Sequence, residues 1–587
     1  MSARHLAAVL IVVIAGVSSL SSQTPARRPL SKTDVDAITT LLRLEDTRTL
    51  DEAALARLLK TAHPEVRRRA AMAVGRINKP EGRALLVAAR GDADAEVAGA
   101  VVFATGQLKD ADAVSWLAGV LSSPKAPAPV RREAARSLGK IRTPAARTAL
   151  ETYLASAEMG PASALITGEA LLSAGRFTGP GDLKAVIRWA ASTDPEVRWR
   201  AAWALVRVRD PGAVPALMKL SADPSAEVRA WAVRGLAIPA PTAASRAGGA
   251  PPPPPFDWSA IDRAPLAARL RAALGDSDRR VRTEALRALT SHDDDASVAA
   301  ILTEIDSTDT WISVSAVEGL ARYESRAAQI VPRLLTATTP ARPDALRQAA
   351  LAPLAALAPD KPGGAIDLAA ALTKSGSVAI RASAVQTLAR LGEPARAKLG
   401  ELVAADPALK ALVPPPPGAP RAPRPPPPVR PESEYRRIVE RWIVPDYNGA
   451  AKPHAVLDTP RGPIEVELYP GDAPLGLEYF LRAVESGAIV GTEFGRLVPD
   501  FVAQQRAIRD DVTLRDEVTR RGLTRGNLSW ANGGLDTGRP GYTLGFTPQP
   551  HNEGDFTTLG HVVHGLDAMD HLEFGDRITG ARIGLPQ

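Results

Sequence analysis

"DPEVRWRAAWALVRV", residues 194–208, carries the reading that decides the fold. Asp-Pro supplies a helix start, because an aspartate side chain caps the first free N–H groups and proline is tolerated in the first turn. From Val197 onward, apolar residues recur at the spacing of one helix face. The phrase returns along the chain: HPEVRRRAAMAVGRI around Val66, DAEVAGAVVFATGQL around Val97, APVRREAARSLGKI around Val130, SAEVRAWAVRGLA around Val228, DRRVRTEALRALTSH around Val281, TWISVSAVEGLARY around Ile312, DALRQAALAPLAAL around Leu346 and VAIRASAVQTLARLG around Ile380. Several neighbouring copies lie 31–34 residues apart. Longer gaps at 130–197 and 228–281 leave room for a degenerate copy near GPASALITGEALLSAG and for an insertion, APTAASRAGGAPPPPPFDW. Between copies run partner helices such as EGRALLVAAR and AVPALMKL. Helix pairs of this period cannot bury their apolar faces alone and must stack on their neighbours. Residues 32–412 therefore form an all-α solenoid.

The D-x-E-V-R-x-x-A-x-x-A-L pattern resembles HEAT repeats of the short bacterial kind. The resemblance implies a surface for binding a client or another protein partner. The arginine after each valine has a plainer role open to it, capping a helix or pairing with nearby acids. Trp199, Trp203 and Trp231 read as packing residues rather than as a cofactor site.

The chain of 587 residues is too long for a single core. Without cysteine it has no disulfide, thiolate metal site or cysteine nucleophile. The net charge of +7 comes from scattered arginines balanced by nearby acids. A nucleic-acid surface would cluster them beside aromatic platforms, so no nucleic-acid partner is expected. The first residues, MSARHLAAVLIVVIAGVSSLSSQTPARRP, have the basic start, short apolar core and small-residue site of an export signal over 1–22. The apolar run is short for a full span, so the mature chain is expected to be exported, periplasmic or extracellular, with no integral membrane span.

The texture changes after residue 412. VPPPPGAPRAPRPPPPVRPESE, residues 413–434, is dense in proline, which favours an extended, semi-rigid spacer. Beyond it, in 435–587, HAVLDTPRGPIEVELYP alternates apolar and polar residues across a Pro-Arg-Gly turn, a hairpin pattern. APLGLEYFLRAVESGAIV has helical spacing, short strand-like pieces follow, and GLDAMDHLEF makes a last short helix. A β-barrel with flanking helices fits this order.

The order of pieces resembles the cyclophilin-type peptidyl-prolyl isomerases. The resemblance is carried by TPRGPIEVELYPGDAPLGLEYFLRAVESGAIVGTEFGRLVPDFVAQQ, by RGNLSWANGG, and by PQPHNEGDFTTLGHVVHGLDAMDHL, over about 454–585. It implies a multidomain chain, solenoid plus barrel, that acts on proline-containing polypeptide clients and assists protein folding in the exported compartment. No cofactor or metal is implied. His551, His561, His564 and His571 are close in sequence, yet their spacing is not that of a structural zinc motif.

Rotating an X-Pro bond means twisting an amide out of conjugation against a barrier of about 18–20 kcal/mol. The chemistry needs an apolar seat for the proline ring and a donor that favours the twisted amide over the planar one. Arginine suits the donor role, since it stays charged and holds several N–H groups in a rigid fork. The resemblance assigns Arg496 as that donor, Phe501 and Val502 to the pocket floor, and Gln504 as a hydrogen-bonding partner. Ala531 and Asn532 match the segment whose backbone binds the incoming peptide, and His551 a position that carries His or Trp in the family. Thr543 and Phe556 fall where the family has a pocket Phe and a wall His. Gly495 replaces a His, Gln505-Arg506 a double glycine, Gly541 a Gln, and Asn552 a pocket Leu. The alternative reading is a non-catalytic scaffold in which the altered barrel only docks proteins.

Overall fold

The structure, a computed structural model, describes residues 27–238, 256–358, 364–416, 429–509 and 512–584. The expected export signal, most of the insertion and the middle of the proline-rich stretch lie outside the described residues.

The repeated phrases are helices, among them Pro64–Ile77, Ala95–Gln107, Ala128–Ile141, Pro195–Val208, Ala226–Arg234, Arg279–Leu289 and Val378–Arg390. The degenerate copy forms a regular member of the series, Pro161–Ala174. These inner helices stack one on the next, and the partner helices cover their outer side. Asp94, Asp194, Asp278 and Asp309 cap their helices through the side chain, as the Asp turns predict.

Two side-chain devices set the spacing between repeats. Gly75, Gly106 and Gly139 sit in the last turns of successive inner helices; a Cβ at each would fall within 2.8, 2.5 and 2.6 Å of Ala104, Ser137 and Ser173. The helices pack closer than any side chain would allow. The second device is the arginine that follows the valine. Arg67 forms a two-pronged pair with Asp92, Arg198 with Asp223 and Arg229 with Asp276. The same guanidinium also bonds carbonyls of its own turn, Thr61 for Arg67 and Ser192 for Arg198. These arginines reach forward and lock each repeat to the turn of the next. Burial works against the Asp223 carboxylate, yet the Arg198 bonds and the Ser225 N–H hold it below its usual value.

The C-terminal part is one eight-stranded antiparallel sheet, in the order β3-β4-β6-β5-β7-β2-β1-β8. The strands are β1 (His454–Thr459), β2 (Gly462–Leu468), β3 (Phe494–Val498), β4 (Val502–Gln505), β5 (Asn527–Trp530), β6 (Tyr542–Gly545), β7 (Thr558–His564) and β8 (Gly580–Gly584). β1 and β2 form the expected hairpin, closed where Thr459 faces Gly462. The sheet curls until its ends meet, with Glu493 bridging Arg577 and Ile578 N–H donating to Thr492 O at 2.9 Å. Helix Pro474–Glu485 and the short helix Leu566–Asp570 occupy the predicted places.

The linker is shorter than its composition predicts, because Glu432–Ile438 is already helical. Residues 435–447, expected at the start of the barrel domain, pack between the first repeats and the barrel, where Arg437 and the Trp442 indole both bond Glu478. Tyr435, Ile438, Val439 and Ile443 are buried there, and the Tyr435 hydroxyl donates to Asp46 at 2.8 Å.

The two parts share a core. Trp311 of the solenoid is buried among barrel residues, its ring 4.5 Å from that of Phe546 and its indole N–H donating to Leu572 O. Arg279 also lies over the ring, 4.2 Å from its centroid. The solenoid's inner face is thus covered by the chain's own barrel.

Arg198→Ala removes a link between repeats without creating an apolar cavity. It should lower unfolding free energy by about 1–2 kcal/mol, while Arg396→Ala, in an exposed pair with Glu393, leaves denaturant midpoints unchanged. Trp311→Ala is expected to cost about 3–5 kcal/mol and to split a joint melting transition into separate ones, read by calorimetry.

Candidate active site

Strand register assembles the site. Arg496 on β3 faces Gln504 on β4, and Gln504 faces Thr543 on β6. Directly opposed residues share a face, so the three stand in a row across the outside of the sheet. Val498 and Val502, two residues along their strands, share that face, whereas Leu497, Ala503 and Leu544 point into the core. A bulge at Gly495 restores Phe494 to the interior.

Arg496 is exposed and has no hydrogen-bond partner among the described residues. Its Cζ lies 5.6 Å from the centre of the Phe501 ring. The surrounding protein pulls its guanidinium below the usual value, with no other group contributing. Phe501 stacks on His551 at 6.1 Å, the rings 20° from parallel. Its carbonyl accepts from Phe546 N–H and from the Gln549 side chain, both at 3.0 Å, and Gln549 in turn accepts from Asn552. Phe501 is therefore a half-buried, fixed ring between a free guanidinium and an imidazole.

The departures from the family pattern have local causes. A Cβ at Gly495 would stand 2.6 Å from Arg506 Cγ, so the arginine lies across the space a side chain at 495 would need. Gln505 turns inward, buried, and bonds the Thr492 hydroxyl. A Cβ at Gly541 would be 2.9 Å from Gln505 O, so the backbone of 505–507 excludes any side chain there. Asn552 supports Gln549 beneath Phe501. Thr543 bonds Ser529 O at 3.3 Å within the row, and Phe556 is half-buried ahead of β7. Phe546 is fully buried against Trp311 and leaves no ring to replace the pocket Phe.

The row lies between two cavities. One, of about 530 Å³, is lined by Gln504, Ala531, Asn532 and Gly541. The Asn532 side chain is held by Asp516 and Asp555 O, while its backbone N–H and C=O have no partner among the described residues. The other, of about 810 Å³, has Val498, Phe501 and His551 on the barrel side and solenoid residues, including Arg207, Trp231 and Arg234, on the other. The β3–β4 turn plugs into the solenoid. Arg287 donates to Pro499 O, and Asp500, with φ +49° and buried, enters beside Glu284. Burial and the Glu284 charge push the Asp500 carboxyl well above its usual value, favouring the protonated acid.

His561 and His564 lie on β7 opposite Glu467 and Glu465. Among the described residues no three His, Asp or Glu side chains gather to hold a metal, and no helix is long and apolar enough to cross a membrane.

The outer face of the curled antiparallel sheet thus brings together a guanidinium, a flat ring and a peptide edge. Residues 454–582 match the cyclophilin type peptidyl-prolyl cis-trans isomerase family, and 82–167 and 160–237 match HEAT repeats. Peptidyl-prolyl cis-trans isomerase B of Bacillus subtilis is 33% identical over 128 residues, covering 20% of this chain and 90% of the relative. Peptidyl-prolyl cis-trans isomerases of Helicobacter pylori and Synechococcus elongatus are 31% and 29% identical, with 83% and 94% of their lengths covered by 21% and 22% of this chain. A solved cyclophilin type isomerase from Cryptosporidium parvum aligns over 99% of its length and 23% of this chain, at 18% identity and TM-score 0.22. Through this domain the chain belongs to the cyclophilin family of peptidyl-prolyl cis-trans isomerases, fused here to HEAT repeats.

Sequence reasoning missed Val498, Pro548 and Asp500 at the site, and the solenoid wall opposite them. The wall gives no local signal, because Arg207 and Arg234 look like any arginine at a helix end.

Burial and then the solenoid charges of Arg207, Arg234 and Arg176 push the His551 imidazole down to about 4. A histidine depressed below its unfolded value near 6.5 contributes stability that is whole above that value and lost as pH falls through the folded one. NMR titration of the intact chain should place His551 near 4, and Arg207→Gln should raise that midpoint. A midpoint near 6.5 in the wild type would contradict the buried, positive surroundings.

Proposed function

We propose that the barrel turns over X-Pro bonds at Arg496, and that it does so on exported proteins whose folding it assists. The observation that carries this reading is the free guanidinium of Arg496, in register with Gln504 and directly over the Phe501 ring. As the amide twists, conjugation is lost and the lone pair localises on the proline nitrogen. An N–H from Arg496 interacts more strongly with that twisted state than with the planar one, which lowers the barrier. Phe501, with Val502 beneath and His551 beside it, seats the proline ring. Gln504 and the Asn532 backbone hold the flanking peptide in place. No proton is transferred and no covalent bond is made. His551, held neutral near pH 7, serves as a flat wall rather than as an acid or base.

The exported setting rests on the apolar N-terminal run with its basic start, and client binding by the solenoid rests on its wall of the larger cavity. The two altered pocket positions, Thr543 and Asn552, favour the competing reading of a docking domain without turnover.

An X-Pro peptide assay on the full chain separates them. Wild type should accelerate isomerisation, and Arg496→Ala should lose about a hundredfold or more in kcat/KM, with its melting temperature unchanged. Wild-type rates equal to the uncatalysed rate, while a control isomerase works, would leave the docking reading in place.

A further inference from the structure

The larger cavity has a composition that proline recognition does not require. Its solenoid wall brings together Arg207, Arg209, Arg234, Arg287 and Arg322. The acids in the lining balance only part of that charge, and Asp210 turns its side chain to the Gly212 N–H. Glu284 is committed to Arg287 and Arg234. Glu318, an exposed acid of the same lining, forms no ion pair among the described residues. Arg207, Arg209 and Arg322 have no ion pair among the described residues, and Arg207 rests only on the Trp203 ring.

These arginines act on one another and on the site. Arg207, although exposed like Arg209 and Arg322, is held below its usual value by the protein around it and by Arg209, Arg142 and Arg234. The same wall is felt by His551 across the cavity. A wall with more arginines than acids attracts anions, and its exposed members, Arg207, Arg209 and Arg322, leave that attraction open to screening by salt. Trp231 and Trp258 add apolar surface beside the charges. A chamber of about 810 Å³ that begins at Phe501 has room for several residues of an extended chain, not only for a proline ring.

We propose that the solenoid completes the peptide site, and that the chamber takes the acidic flank of a proline-containing segment. Its substrates are X-Pro sequences with aspartate or glutamate within a few residues of the proline. The inference rests on the isomerase reading and adds to it a substrate class set by the repeats. The barrel grips the proline, and the solenoid arginines select the sequence around it.

The test uses the full chain and three X-Pro peptides of equal length, flanked on both sides by Glu, Ala or Lys. Turnover is read by isomerisation rate, and affinity by fluorescence anisotropy. The expected order in kcat/KM is Glu, Ala, Lys, with a Glu-to-Lys ratio of about tenfold or more, the size expected of several partly exposed charge pairs. The ratio should shrink in about 0.5 M salt. In the double variant Arg207→Glu, Arg322→Glu it should fall to one or invert. The neutral double variant, Arg207→Gln with Arg322→Gln, should fall between, with both variants first checked for an unchanged melting temperature. Equal rates and affinities for Glu and Lys peptides in the wild type would overturn the proposal, as would a ratio that both variants retain. If no peptide is turned over, the isomerase reading fails, and anisotropy still decides the chamber. Tighter, arginine-dependent binding of the Glu peptide upholds its selectivity, and its absence overturns it.

Discussion

The arrangement depends on one recurring interaction: a cationic side chain from an inner solenoid helix donating to a backbone carbonyl of the barrel. Arg76 reaches Val518 O and Asp472 O, Arg136 reaches Arg520 O, and Lys140 reaches Gly554 O. Arg279 and Arg287 do the same to Asp570 and Pro499, as does Arg176, just beyond the end of its helix, to Pro550. Each is a charge-assisted bond to a backbone carbonyl in a loop or at a short helix of the barrel. Burying these cations costs solvation, and nearby acids offset it: Arg136 is buried between Glu133 and Glu169, with Glu553 of the barrel at 3.6 Å. At the far end the roles reverse. Glu493 of the barrel accepts from Ser377, Val378 and Ala379, capping a solenoid helix with a barrel carboxylate.

Because most of those bonds fall on loops, the solenoid determines how the barrel's loops are held. The β3–β4 turn shows the consequence. Pro499 and Asp500 are fixed by the helix that carries Glu284 and Arg287, and Phe501 follows immediately. The ring is pinned from the barrel side as well, through Gln549 and Asn552. A ring held on both sides suits a reaction whose catalyst must be ready-shaped for a twisted amide. The altered pocket positions then have structural uses. Asn552 gives up an apolar wall to brace Phe501, and Gly495 makes way for Arg506.

Much of this was legible in the chain. Helix phrases with fixed spacing, the Asp caps and the hairpin at Pro460–Arg461 follow from local pattern, because each is set by residues near it in sequence, whereas Arg496 was picked out only by the resemblance of its segment to a family motif. The forward reach of Arg67 and Arg198 was not, since a salt partner 25 residues on looks the same as one nearby. Trp311 was hidden for a related reason. Its helix, TWISVSAVEGL, has apolar residues on more than one face, and only the fold shows that one of them enters another domain's core. That the segment 435–447 also packs on the first repeats was not legible, because apolar helical spacing says that a face is buried, not against what.

A domain that twists amides needs no moving acid, base or cofactor, so it loses little by being held rigidly along many of its loops. What rigid docking removes is the open approach a free-standing barrel would offer, leaving a walled passage beside Phe501. That passage makes selectivity possible. A barrel alone reads a proline and a short stretch of backbone, features shared by most polypeptides. A wall from neighbouring repeats, carrying Arg207, Trp231 and Arg234, adds charge and apolar surface that only some segments match. Since each repeat contributes its own residues, such a wall can change one repeat at a time without disturbing the Arg496 row.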